Sequence, residues 1–436
     1  MDKNYYTEKN TNSIFNKLQW ILLIIIFLAN FWATWNTYAI LDTVYGLATL
    51  MCFAVMLVLI ISNHSRNMKI WDAFCIICFI VWSAIMMYAF DVAHPTHGDR
   101  TFLFFTMDSY ALSFIRMLIL ILPCIAIVDY NKIYKSKYTK FLFLIILITG
   151  TFFMARAIEV NPDAVRARAT MAFAGYEYLL KGVPDYAHVY GAAIIFPAIL
   201  YRRSDTRGFE KHCYTLIIIL MAYIIIFSQF ATALLVMLVG ILVYYFIISN
   251  KKNRLFIFFL GVLLVIIVVF LDGGADIFYW LSDKVEGAWS IKLEDIALTL
   301  SGKEDSGMVS SRFSYYKDSL NSFLNDPLFG LLFKDGKIGG HATAIDILGL
   351  TGIFGFIPFG VCVTCNFLKM YKNAFNLAGK AVAISCFVQF VVLAFSKNVI
   401  SAMAIFLAYF VVVPVILKAK EREQSDAQKI KEVVVR

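Results

Sequence analysis

Residues 310–355 read SSRFSYYKDSLNSFLNDPLFGLLFKDGKIGGHATAIDILGLTGIFG. Most of the chain around them is apolar, so this is the point where a long polar excursion meets the next hydrophobic run. Arg312 stands at the start of an amphipathic segment, and His341 follows Gly339 and Gly340 where the apolar run resumes. Ionisable groups this close to lipid are costly and are usually retained for a function.

The composition sets the environment of that stretch. Hydrophobic residues make up 61% of the 436 and charged residues 16%, with a mean hydropathy of +0.74, whereas soluble domains are about a quarter charged. The chain therefore reads as a polytopic, all-α membrane protein forming a single domain over residues 1–436. A net charge of +9 would suggest nucleic acid in a soluble chain. Here the basic residues cluster in short loops between apolar runs, which is a topology signal and excludes a nucleic-acid partner. The eight cysteines lie inside or beside apolar runs. Cys75/Cys78 and Cys362/Cys365 have CxxC spacing but no polar surroundings that would orient metal ligands, so they read as packing residues.

Apolar runs of the length a bilayer requires begin at Leu18 and follow at about 41–62, 71–90, 109–128, 140–159, 186–201, 213–229, 230–250, 255–272, 342–368, 380–396 and 398–417. The first is too long for a signal peptide core and leads directly into the second, so it reads as an anchored helix. About twelve spans result. Arg66/Lys69, Lys132 to Lys140, Arg202 to Lys211, Lys251 to Arg254, Lys369 to Lys380 and the 418–436 tail then all fall on one side, which the positive-inside rule makes the cytoplasm. Both termini are expected there.

The opposite side holds loops at about 91–108, 160–187 and 273–341, and loops that long usually carry function. The third predicts helices at roughly 276–300 and 310–325. In the second of these Phe313, Tyr316, Leu320, Phe323 and Leu324 form an apolar face, Ser310 or Ser311 can cap the start, and Asp326-Pro327 ends it. An arginine in the first turn opposes the helix dipole, so Arg312 calls for an acidic partner such as Glu304 or Asp305, or for an anionic ligand.

In the second loop Arg166 and Arg168, with Arg156 just inside the preceding span, place positive charge against the topology bias. Guanidinium matches phosphate oxygens in a fork, so the three can form a phosphate clamp; otherwise Arg156 snorkels and Arg166 is balanced by Glu159 and Asp163. The first loop, DVAHPTHGDR at 91–100, brings Asp91, His94, His97 and Asp99 close in sequence. Without helical spacing to converge them, it reads as a solvated loop, and no metal is assigned. His341 differs in context: the glycines permit a sharp turn into a helix, and Asp346 must be buried five residues on. Neutral imidazole can take a proton from a sugar hydroxyl.

The order R-x-x-x-Y-x-x-S-L-x-x-F-x-x-x-P-L-F-G from Arg312, followed by G-G-H-x-x-x-I-D-x-L-x-x-x-G-I-x-G from Gly339, resembles the O-antigen polymerase and O-antigen ligase superfamily. The basic 160–187 loop resembles that of repeat-unit polymerases. The resemblance implies a GT-C-like membrane glycosyltransferase that polymerises oligosaccharide units carried on undecaprenyl pyrophosphate, at the extracytoplasmic face of a bacterial inner membrane. It implies no metal and no cofactor. Arg312 would stabilise the leaving pyrophosphate and His341 would activate the acceptor, with Arg156, Arg166, Arg168, Tyr316 and Asp346 contacting substrate. Implied partners are the bilayer, the lipid-linked oligosaccharide and a chain-length regulator. Ligases of the superfamily carry an arginine in a Q-x-R-A-T stretch, where this chain has Ser228-Gln229-Phe230-Ala231-Thr232. That departure favours polymerase over ligase. A transporter of lipid-linked glycans would also be polytopic, but the chain lacks the paired half-repeats typical of alternating access.

Overall fold

The computed structural model describes residues 70–94, 99–102, 105–126, 137–160, 186–250, 253–254, 274–285, 288–300, 308–374, 376–400 and 402–417. The elements are α1 (Ile70–Tyr88), which continues through a π-helical turn (Ala89–Ala93), β1 (Asp99–Phe102), β2 (Phe105–Asp108), α2 (Ser109–Ala126), α3 (Lys137–Val160), α4 (Tyr186–Asp205), α5 (Gly208–Phe227) and α6 (Ala231–Ile248). Then follow α7 (Gly274–Ser282), α8 (Ala288–Leu300), α9 (Met308–Asn325), α10 (Thr343–Asn373), α11 (Leu377–Ser396) and α12 (Met403–Leu407), the last running on through a second π-helical turn (Ala408–Val412). Helices carry the fold as expected. Among the described residues the exception is an antiparallel hairpin of β1 and β2, with Asp99 opposite Asp108 and Phe102 opposite Phe105.

Among the described residues five helices are long and apolar enough to cross a membrane: Ala73–Ala93, Gly208–Phe227, Ala231–Ile248, Thr343–Lys372 and Leu377–Ser396. Helices also occupy the places expected for spans at 109–128, 140–159 and 186–201. The runs from Leu18, at 41–62 and at 255–272, which the count of twelve requires, lie outside the described residues. The helix expected over 276–300 is two helices, α7 and α8, separated by a turn at Asp283 and Lys284. The last expected span starts late, at Met403; Lys397 and Val399 before it bond to Thr343 at the start of α10.

Helix α10 organises the rest. Its 31 residues correspond to about 46 Å of helix, against a hydrocarbon core of about 30 Å. It is broken at Gly352, whose φ of 59° and ψ of −157° lie in a region that glycine alone adopts freely. Around the break, the polypeptide at 327–331 supplies the missing partners. Leu331 N donates to Gly349 O (3.0 Å), while Ile353 N and Phe354 N donate to Pro327 O (2.9 Å) and Leu328 O (3.1 Å). Irregular backbone at membrane depth persists only when its polar groups are bonded within the protein. The contact is close enough that a Cβ on Gly352 would stand 2.4 Å from the Leu328 carbonyl.

Two clusters hold the bundle. Trp82 of α1, 1% exposed, meets Phe114 of α2 (5.3 Å), Phe359 of α10 (5.2 Å) and Phe406 of α12 (5.5 Å), offset and edge contacts that aromatic quadrupoles favour. The second cluster is polar. Pro197 lies inside α4 and has no N–H, so Ala193 O, four residues earlier, loses its helical donor. Gln389 Nε2 of α11 supplies one at 2.8 Å and also reaches Val236 O of α6 at 2.9 Å. Each such interhelical bond contributes about 0.6 kcal/mol, up to roughly 2, in a membrane. At the end of the bundle away from His341, Arg202 is buried and bonds Glu210 Oε1 at 2.8 Å, with its guanidinium 5.8 Å from the Tyr214 ring.

Candidate functional site

The site forms where α9 packs along the first half of α10. Ser319, fully buried, points from α9 into that contact, and the chain returns over it as the irregular segment 335–339. A Cβ on Gly339 would lie 2.0 Å from Tyr315 O, so only glycine lets the segment rest directly on α9. Gly340 follows with φ of 70°, and the chain turns into α10.

Asp346 is the centre of this turn. Its carboxylate is 1% exposed and both oxygens are engaged. Oδ1 accepts from Ser319 Oγ (2.7 Å) and Gly340 N (3.1 Å), and Oδ2 accepts from Ala342 N (2.8 Å). Ser319 Oγ in turn accepts from Gly339 N at 2.8 Å. One side chain therefore ties α9, α10 and the amides on both sides of His341 together. From the other flank, Thr343 N and Oγ1 donate to Lys397 O, each at 3.0 Å, Val399 N donates to Thr343 Oγ1 at 2.6 Å, and Asn398 Nδ2 donates to Gly340 O at 3.1 Å.

His341 stands exposed on this braced turn. Its Nδ1 lies 3.1 Å from Gly339 O; because a carbonyl can only accept, Nδ1 is the donor of this bond, and in the neutral ring Nε2 is then the nitrogen with the lone pair. The ring lies against Tyr315, centroids 4.2 Å apart and planes at 32°. A hydrogen bond and a ring contact thus fix the imidazole with its basic nitrogen available, which is the geometry a general base needs.

Arg312 is the fifth residue of α9, which begins at Met308. Ser310 and Ser311 therefore lie within the helix and do not cap it, and the dipole argument for an acidic partner or anion loses force. The 3.6-residue period puts position 312 on the helical face of Ser319, about 10 Å along the axis. Tyr316 is half-buried on the same helix; its neighbour Tyr315 is the one that meets His341. Asp346, expected to contact substrate, has both oxygens on internal donors. Arg156 is exposed near the end of α3, a helix that packs on α5. Arg166 and Arg168 lie outside the described residues.

The first loop reaches the site indirectly. His94 Nε2 is 2.9 Å from Leu331 O, in the turn that braces the α10 break, while Asp91 Oδ1 accepts from Asp108 N at 2.9 Å. These two candidate ligands serve different partners, and His97 lies outside the described residues. Among the described residues no group of His, Cys, Asp and Glu could hold a metal ion. At the end of α9, Asp326 pairs with Lys334 Nζ at 2.7 Å. That hydrogen bond, with one from the Phe329 amide, holds the Asp326 carboxyl below the usual carboxylate range.

Sequence reasoning missed Tyr315, Ser319, Thr343 and Asn398. Ser319 and Tyr315 are four residues apart on one face of α9, and that spacing was the available signal. Part of the expected apolar face points outward, with Leu320 45% and Leu324 62% exposed, while Tyr316 and Phe323 are half-buried.

Phe230, at the position where the resemblance led to the expectation of an arginine, immediately precedes α6 and packs on Tyr190 of α4 at 5.9 Å. Comparison with curated proteins finds no match. Comparison with family models matches residues 216–360 to the family described as O-antigen ligase. The matched stretch runs from α5 through α9 and the His341 turn into α10 beyond its break. The region that builds the site is thus similar to the O-antigen ligase family, and the match supports the O-antigen ligase and polymerase superfamily for this chain.

Proposed function

We propose that this protein is a membrane glycosyltransferase that polymerises oligosaccharide units carried on undecaprenyl pyrophosphate. The observation that carries the reading is His341, exposed on the Asp346-centred turn with Nδ1 3.1 Å from Gly339 O. In the proposed step the acceptor sugar hydroxyl attacks the anomeric carbon of the donor glycan. Nε2 takes the hydroxyl proton, the new glycosidic bond forms, and the bond from the anomeric carbon to the pyrophosphate breaks. Negative charge then grows on the leaving pyrophosphate, and Arg312 stabilises it without a metal. Arg168, Arg166 and Arg156 are further candidates for that charge. Tyr316 remains a candidate sugar contact, and Asp346 acts by positioning the turn.

In this reading the chain crosses the membrane about twelve times in a GT-C-like arrangement, both termini are cytoplasmic, and the turn faces outward, as the distribution of Lys and Arg favours. Phe230 in place of the expected arginine favours polymerase over ligase. The test is the lipid-linked material that accumulates in cells producing His341→Ala. Loss of a polymerase leaves single units on the lipid, whereas loss of a ligase leaves finished polymer on it. Unchanged polymer in cells that make and insert the variant would overturn both.

A further inference from the structure

The turn at 327–333, sequence PLFGLLF, is the strongest feature that the proposed chemistry does not use. Leu328 is 62% and Phe333 64% exposed, high values for large apolar side chains in a segment expected to sit in water. The exposure is not scattered. Phe333 lies 6.1 Å from Tyr88, near the end of the apolar span of α1, and Phe329 lies 5.4 Å from Phe333 and 5.6 Å from Phe354 of α10. Tyr88, Phe354 and Ile357 are themselves exposed within spans apolar enough to cross a membrane. The turn therefore continues a surface that already faces lipid.

Its backbone meets the condition for that setting. Gly330 N donates to Asp326 O (2.7 Å), Leu332 N to Phe329 O (3.1 Å) and Leu331 N to Gly349 O (3.0 Å). Pro327 O and Leu328 O accept from the broken helix, and Leu331 O lies on His94. Leu328, Phe329 and Phe333 face out, Leu331 and Leu332 pack inward, and the main-chain groups named here are bonded within the protein, an arrangement that hydrocarbon demands and water does not. The Asp326–Lys334 pair (2.7 Å) closes the turn, and Asp335 and Lys337 beyond it are exposed, as expected at headgroup level.

We infer that the 327–333 turn is a membrane-contact element seated in the leaflet on the His341 side, with Leu328 and Phe333 among the lipid chains and Lys334 and Lys337 at the headgroups. The bilayer is its partner. Because the same turn fills the break in α10 and takes the His94 contact, its depth sets the height of His341 above the hydrocarbon. The inference rests on the exposed surface and its continuity with the spans, and it stands whether or not the chain transfers glycans.

The experiment places a nitroxide at Leu328→Cys, Phe333→Cys and Lys337→Cys in the full chain, reconstituted in phosphatidylcholine–phosphatidylglycerol vesicles. Unsubstituted protein taken through the same labelling serves as the blank, because the native cysteines described are largely buried. Collision rates with oxygen, which concentrates in lipid, and with a water-soluble nickel complex are then compared. The oxygen-to-nickel ratio should be several-fold higher at 328 and 333 than at 337. Equal ratios at all three positions would put the turn in water and overturn the inference. Exclusion of both reagents at 328 and 333 would mean that protein covers the turn, and spin–spin broadening would identify a second copy; either overturns it too.

Discussion

Replacing Asp346 by asparagine removes one acceptor oxygen from a buried site where both oxygens accept hydrogen bonds. If the remaining oxygen keeps Ser319 and Gly340, the new amide group faces the Ala342 N–H, which loses its 2.8 Å bond. If the side chain flips, Ser319 and Gly340 lose theirs. Either way at least one buried backbone N–H meets another donor. Hydrogen bonds to charged groups contribute about 1.5–3 kcal/mol and an unpaired buried group costs about 1–3, so a net loss of about 2–4 kcal/mol is expected for the turn. At about 1.4 kcal/mol per decade, the ratio of held to loosened turn falls by roughly 30-fold or more. The protein should still insert, because the change lies at one end of a long bundle. Its rate of polymer formation should drop by at least about tenfold, and its thermal midpoint in detergent should fall. Ser319→Ala, which spares the carboxylate, should do less. An asparagine variant with the original rate and midpoint would refute the anchoring role of Asp346.

Arg312→Lys keeps the charge but loses the planar fork, so most activity should go if the guanidinium holds two phosphate oxygens; full turnover by the lysine variant would count against the clamp. Activity of the purified protein on lipid-linked units should survive EDTA, and strict Mg²⁺ or Mn²⁺ dependence after chelation would return attention to the Asp91, His94, His97 and Asp99 loop. The packing of α1 on α10 puts Cys75 Sγ 3.9 Å from Cys362 Sγ. A membrane-permeant oxidant should therefore join them, detected as a linked peptide pair by mass spectrometry. Recovery of only other pairs would contradict that packing.

The apolar runs announced most of the helices, and the α9 stop at Asp326-Pro327 and the glycine–histidine turn were legible from residue chemistry alone. The side of α9 that packs was not. Apolar periodicity selected Leu320 and Leu324, yet α9 closes on α10 through a polar residue, Ser319, whose partner Asp346 lies on the other helix. Asp346 was legible as buried, but its three donors come from a serine on another helix and two backbone amides, which no local pattern encodes. The break at Gly352 was hidden for a similar reason. One glycine among several in α10 becomes a kink only because the 327–331 segment is there to take the freed hydrogen-bonding groups.

In the proposed reaction His341 is the group that accepts the acceptor's proton. Its most direct test is transfer by purified protein supplied with lipid-linked repeat units extracted from cells lacking it. The original protein should convert the single unit into a ladder of multiples on the lipid. His341→Gln, which keeps a polar side chain on the same turn but cannot take up the proton, should be folded and leave the single unit unchanged. A ladder of the same rate and length from His341→Gln, or no ladder from the original protein under the same conditions, would contradict the account.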